Sequence, residues 1–389
     1  MSNLKIDRDY LYQTLANLIR INSINPSLVP GSAGEAEIAA YVANELGQLG
    51  LQVALHEVAP RRLNVVATLP GSGRGRSLML NAHMDTVGVE NMPAPFAAEV
   101  LDGKMYGRGA YDMKGSLAAC LAAARAIVEA SVILGGDLLI AAVADEEYIS
   151  LGTEDVVKHY RPDAAIVTEP TELTICLAHK GFIWLTVETI GKAAHGSRPH
   201  LGVDANMKMG HFLCELDRLA QELQSRSGHA LVGTPTLHAA LIEGGSGISV
   251  IADRCTLQIE RRTIPGETET QVLREVQAIV DRLSASDPNF SATVNVSFVR
   301  QPFSVSEDAP IVLALNRATR NVSQHALDQT GVSFWTDAAL MAAAGIETVV
   351  CGPAGAGAHA AEEWVDLQSV EDAALIYAHT AIDYCRPKG

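Results

Sequence analysis

Apolar residues recur at three- and four-residue spacing through "GEAEIAAYVANELGQLG" (34–50), and the run stops at a glycine. That is the pattern of a helix with one buried face. The same period predicts a helix over 7–24, and "MKGSLAACLAAARAIVEA" (113–130) is helical throughout. Short apolar runs punctuate these helices: "NVVATL" (64–69), "SLMLNAH" (77–83), "DLLIAAVA" (137–144) and "DAAIVTE" (163–169). Strands that are apolar on both faces and separated by helices imply an α/β fold, a mostly parallel sheet with helices on both faces.

After "HKGF" (179–182) the rhythm changes. Strand 182–190, helix 203–224, strands 236–243 and 254–262, helix 268–285 and strand 292–299 come next, in the order βαββαβ, the ferredoxin-like arrangement. Helix 309–326, helix 336–344, strand 347–352 and helix 368–385 then return to the earlier pattern. The expected organisation is an α/β domain in two parts, 1–181 and 301–389, with a smaller domain inserted over 182–300. The length agrees, since 389 residues exceed the roughly 250–300 at which one core stops growing.

A chain that is 48% hydrophobic and 19% charged builds a large core. Its formal net charge of −16 argues against nucleic acid and against an anionic membrane surface, both of which call for a basic footprint. The first residues carry charges and no apolar h-region, and no stretch of about 18 apolar residues occurs. The chain reads as cytoplasmic. Six cysteines are scattered without a C-x-x-C pair, which suggests buried free thiols and no disulfide framework. "YGRGAYD", "GGSGIS" and "GSGRGRS" lack the context of a phosphate loop.

In an open α/β sheet, ligands gather beyond the carboxyl ends of the strands. The expected strands deliver His83 and Asp85, then Glu146 and Glu147, then Glu169, and the strand at 347–352 runs into a small-residue loop ending on His359. Asp112 precedes the long helix and, taken alone, would be its N-cap. Together, His83, Asp112, Glu147, Glu169 and His359 supply the five or so ligands that a dinuclear centre needs, one carboxylate bridging. Asp85, two residues beyond His83, is placed to accept the other ring N–H. Adjacent strand side chains point to opposite sides, so one glutamate of the pair can grip metal while its neighbour moves a proton. Spacing alone leaves open which does which.

At these residues the chain resembles the dinuclear metallohydrolases that include acetylornithine deacetylase, succinyl-diaminopimelate desuccinylase, aminoacylase and several zinc carboxypeptidases and dipeptidases. The resemblance rests on "NAHMDTV" (81–87), "YGRGAYDMKGSLAA" (106–119), "ADEEY" (144–148), "VTEPT" (167–171), "GKAAHGSRPHLGVDA" (191–205), "ERRTIPGE" (260–267), "TDAAL" (336–340) and "GPAGAGAHAAEEWV" (352–365). It implies His83 and Glu169 on one zinc, Glu147 and His359 on the other, Asp112 bridging, Glu146 as general base and Asp85 orienting His83. It further implies a homodimer paired through the inserted domain, His195 stabilising an oxyanion in a partner subunit, Arg262 holding a substrate carboxylate, and Glu363 beside the site in an unassigned role. Without the resemblance, His195 would read as capping a turn and Arg262 as a surface arginine.

Two divalent ions are expected, zinc foremost, with cobalt and manganese as alternatives for the same ligands. The expected substrate is an N-acyl amino acid or short peptide, with N-acetylornithine in the lead. A carboxypeptidase or dipeptidase of the same chemistry, and a non-catalytic relative that binds an amino-acid derivative, are the competing readings. Ser249 and Ala252 stand where many relatives carry Asn and Pro, and Glu362 where an acidic or amide residue is usual after His359.

Overall fold

The computed structural model describes residues 4–323 and 327–387. It divides into two compact units: residues 1–177, 305–330 and 336–389 form the first, and 178–304 with 331–335 the second. Segment 331–335 therefore departs from the division expected from the sequence. Its backbone is held by second-unit residues: Lys180 N donates to Val332 O at 3.3 Å.

The first unit is built on a sheet whose centre is parallel. Leu138–Val143, Leu78–His83, Ala164–Val167 and Glu347–Val350 lie side by side in that order, all parallel, with antiparallel Arg62–Leu69 and Gln52–Ala59 beyond the first and Ile175–His179 beyond the last. Every residue of the first three central strands is buried, as expected where helices cover both faces. Helix Gly115–Glu129 is fitted to its position by side-chain size. Six of its residues are buried alanines, which lets it approach helix Leu367–Tyr384 closely. Side-chain caps start two of the helices: Asp7 accepts from Tyr10 N ahead of Arg8–Arg20, and Asp366 from Ser369 N ahead of Leu367–Tyr384.

The helices and strands expected from the sequence are present within one to four residues at each end, and residues 324–326 of the helix expected over 309–326 lie outside the described chain. Strand Gln52–Ala59 and helix Leu151–His159 are additions to that expectation, as is the fully buried strand Ile175–His179. The first is a half-exposed edge strand and the second is nine residues long with three buried, so neither carries a strong apolar period. A small sheet is a further addition: Glu99–Leu101, Lys104–Tyr106, Trp364–Asp366 and Gly355–Ala356 pair in that order.

The second unit is the βαββαβ arrangement. Its antiparallel sheet runs Thr236–Gly244, Arg254–Thr263, Gly181–Ile190, Ala292–Arg300. Strand Gly181–Ile190 alternates buried and more exposed residues, and its inward Ile183, Leu185 and Val187 pack with Phe212, Leu216, Val272 and Val276 of helices Ala205–Ser225 and Glu269–Ser286.

Candidate metal centre

The parallel register puts the carboxyl ends of the four central strands at one edge. His83 is opposite Val143, Asn81 opposite Val167, and Val350 opposite Val167 on its other side. The strand ends therefore bring four pieces of chain together: His83 itself, the turn 144–147, Glu169, and the loop that ends at His359. Asp112 arrives from the turn before helix Gly115–Glu129, where the Asp112–Met113 peptide is cis. It is not the N-cap of that helix, which starts without a side-chain cap. Its carboxylate faces two imidazoles instead.

Two trios result, and they share a member. His83, Asp112 and Glu169 form one, Asp112, Glu147 and His359 the other, with ligand atoms in each within 4.8 Å of one another. His83 Nε2 lies 3.0 Å from Asp112 Oδ1 and 3.8 Å from Glu169 Oε1. His359 Nε2 lies 2.9 Å from Glu147 Oε2 and 3.5 Å from Asp112 Oδ2. His359 adopts φ +61°, a left-handed conformation uncommon outside glycine. Glu146 belongs to neither trio.

Packing this much negative charge below the surface shifts every group. Burial pushes Glu169 and Glu146 well up, each further raised by neighbouring carboxylates, and pushes Glu147 to about 7. Burial works against Asp112 too, yet bonds from His359 and His83 hold it well below the usual range. His359 rises to about 10 through its bonds to Asp112 and Glu147. Burial disfavours the charged form of His83, but Glu169 and Asp112 outweigh it and raise the group well above its ordinary value.

Such a cluster calls for a cation, and the donor chemistry says where. His83 Nδ1 lies 2.9 Å from the Asp85 carbonyl, so its proton is there and the Nε2 lone pair faces two carboxylates. Such a nitrogen needs either a proton or a metal. Glu147 Oε1 is buried and has no hydrogen-bond partner among the described residues, an orphaned acceptor that a metal ion satisfies. Imidazole and carboxylate donors in two trios sharing one aspartate fit two divalent ions.

Asp85 departs from its expected task. Its backbone carbonyl, not its carboxylate, takes the His83 ring N–H; the carboxylate stands 3.8 Å away. The carboxylate is already committed: it accepts from Asn25 Nδ2 at 2.8 Å and from the backbone N–H groups of Glu146 and Glu147 at 3.1 and 3.2 Å. Asp85 thus holds the turn that carries the glutamate pair. Asp145, first of the three acidic neighbours, points away into a buried cluster with Arg62, Glu35 and Asn25.

Glu363 gains a definite structural role. It accepts from Arg108 Nη1 at 2.6 Å and from the backbone N–H groups of Gly109, Tyr111 and Asp112 at 2.9–3.0 Å, fastening the turn that presents Asp112. Asp337, which the sequence offers only as part of "TDAAL", is buried, raised to about 6 by that burial, and bonded by Thr153 Oγ1 at 2.5 Å. Asn25 and Arg62 have no sequence signal beyond being polar residues between apolar runs.

His195 and Arg262 belong to the second unit. His195 is exposed, and its Nδ1 accepts from Ser197 N at 3.2 Å, which leaves the ring proton of the neutral form on Nε2. Arg262 Nε donates to Glu260 at 2.6 Å, and its guanidinium lies over the Phe182 ring at 5.1 Å. Ser249 contributes its carbonyl to Gly196 N beside His195.

Residues 79–383 match the model of peptidase family M20/M25/M40. The chain is 30% identical over 386 residues to an acetylornithine deacetylase of Myxococcus xanthus, covering 96% of this chain and 97% of that protein. It is also 30% identical over 392 residues to an N-formyl-4-amino-5-aminomethyl-2-methylpyrimidine deformylase of Bacillus subtilis, covering 92% of each. Among solved structures, a dinuclear metal-binding peptidase of the M20 family from Bacillus subtilis aligns with a TM-score of 0.75 at 16% identity, over 98% of this chain and 99% of that one.

Proposed function

The chain belongs to peptidase family M20/M25/M40 and is a hydrolase of amide or peptide bonds, and from that premise we propose that it removes the acyl group from an N-acyl amino acid, N-acetylornithine first among them. The observation that carries the reading is the pair of trios joined by Asp112, with Glu146 beside them and outside both. His83 and Glu169 would hold one divalent ion, Glu147 and His359 the other, and Asp112 both. Zinc suits the mixed nitrogen and oxygen donors.

When bound, the ion pair polarises the amide carbonyl and acidifies the attacking water. Glu146 accepts the proton of that water at its carboxylate and returns it to the leaving amine nitrogen. In the metal-free protein burial is the largest cause of its raised affinity for a proton, and a buried carboxylate of this kind can both take a proton and give it back. Asp85, through the N–H groups of Glu146 and Glu147, keeps the base and the ligand in register with each other. The Nε2–H of His195 is a donor suited to an oxyanion, and Arg262 is a partner suited to a substrate carboxylate.

A homodimer is part of the proposal. Thr236–Gly244 is an edge strand of the second unit, with Leu241 64% and Ile242 58% exposed, and Ile248 nearby fully exposed. An apolar, unpaired edge of this kind is a template for a second copy.

The test is release of ornithine from N-acetyl-L-ornithine by purified protein, before chelation, after it, and after adding back zinc or cobalt. Activity lost to chelator and restored by metal supports reaction and substrate together. Metal-restored activity on other N-acyl amino acids or on dipeptides, with none on N-acetylornithine, would move the substrate and keep the chemistry. No turnover of any amide by metal-loaded protein would overturn the reading.

A further inference from the structure

A second group of metal-binding side chains lies in the first unit and shares no residue with the centre built around Asp112. His56 is on the edge strand Gln52–Ala59; Asp155 and His159 are one turn apart on helix Leu151–His159. Their ligand atoms all lie within 4.8 Å of one another. His56 Nδ1 is 3.6 Å from Asp155 Oδ2, and His159 Nε2 is 3.3 Å from Asp155 Oδ1. Donors bound to one zinc at about 2.0–2.1 Å in tetrahedral geometry stand roughly 3.3 Å apart, so each imidazole stands near ligand spacing from one oxygen of the Asp155 carboxylate.

Three further observations point to an ion here. Asp155 Oδ2 is buried without a hydrogen-bond partner among the described residues, although it faces an imidazole. His56 Nε2 meets the Tyr160 hydroxyl at 2.9 Å. If Nε2–H donates to that oxygen, Nδ1 is left as a lone pair aimed at the carboxylate, the arrangement by which an outer-shell partner sets the tautomer of a metal-binding histidine. Finally, His159 is the last residue of its helix, with Tyr160 as C-cap, where the helix dipole favours positive charge.

We propose that His56, Asp155 and His159 form a further binding site for one divalent transition-metal ion, with zinc as the natural occupant and Tyr160 orienting His56. Two imidazoles and a carboxylate select zinc, copper or nickel over magnesium or calcium. Side-chain exposures of 25%, 24% and 54% leave a fourth position open to water. The ion would clamp strand Gln52–Ala59 to helix Leu151–His159, the helix that begins four residues after Glu147. Its role is therefore structural, bracing the element that comes after the glutamate pair.

The experiment compares zinc bound per chain after equilibrium dialysis of the full-length protein against micromolar zinc, for the wild type and for H56A, H159A and Y160F. The site predicts one zinc ion fewer in H56A and H159A, and affinity for that one ion weakened about 10-fold or more in Y160F, the usual scale for losing an outer-shell partner. The increase in melting temperature that zinc produces should be smaller in H159A than in the wild type. H159A changes an exposed side chain at a helix end, so an unaltered far-UV circular dichroism spectrum guards against misfolding. Equal zinc content and equal affinity in all four proteins would overturn the site. The readout is a difference between variants, so it stands even if the principal centre holds fewer than two ions.

Discussion

Glu146 and Glu147 are neighbours in the chain with opposite fates. Glu147 is drawn into a trio with Asp112 and His359, while Glu146 is left outside both trios. Replacing Glu146 with Gln should therefore cut kcat by about 10²–10⁴-fold and leave metal content unchanged, checked by steady-state kinetics beside metal analysis; loss of metal in E146Q would mean the roles are assigned the wrong way round. The pH dependence of metal uptake has a definite sign. In the metal-free protein His359 holds its proton up to about 10 and Glu147 up to about 7. A metal ion must displace those protons, so apparent affinity falls as pH falls and binding at pH 7 releases protons. Calorimetry in buffers of different ionisation enthalpy measures that release directly.

At the scale of an element, the turn 107–112 shows how a functional residue is held by backbone contacts that no periodicity announces. Glu363 accepts three backbone N–H groups from this turn as well as the buried Arg108 guanidinium. Substituting Glu363 by Ala should destabilise the protein by about 3–5 kcal/mol, because it leaves a buried arginine unpaired, and should weaken metal binding as Asp112 loses its support. Denaturant titration of the metal-free protein separates the first effect from the second. Gly109 sits at φ +78° in the same turn, and an added Cβ would lie 2.7 Å from Thr86 Cγ2. Gly109→Ala is expected to cost about 1–3 kcal/mol, read as a lowered unfolding midpoint. The apolar runs make the central strands and long helices legible in the sequence, since residues buried on both faces have few alternatives. Helix Leu151–His159 and strand Gln52–Ala59 are illegible there because partial exposure weakens the apolar signal, and these are the two elements that bring His56, Asp155 and His159 together.

For the molecule as a whole, the proposed dimer predicts that Ile242→Lys, on the exposed edge strand, shifts the species seen by light scattering after size-exclusion chromatography from twice the chain mass towards the 41.3 kDa of one chain; a wild type that already runs at one chain mass would remove the dimer. Among the described residues no helix is long and apolar enough to cross a membrane. Sequence alone determined the alternation of strands and helices, the inserted βαββαβ order and the types of residue at the strand ends, because burial demands apolar periodicity and because chemistry demands imidazoles and carboxylates in recognisable motifs. Only the tertiary structure decided that Asp85 serves the glutamate turn through its carboxylate and His83 through its carbonyl. Only the tertiary structure, likewise, decided that Glu363, 251 residues from Asp112 along the chain, fastens it in place. Hydrogen bonds across such separations leave no local pattern, since each partner is chosen by where the folded backbone brings a donor, and that position exists only after the strands have paired.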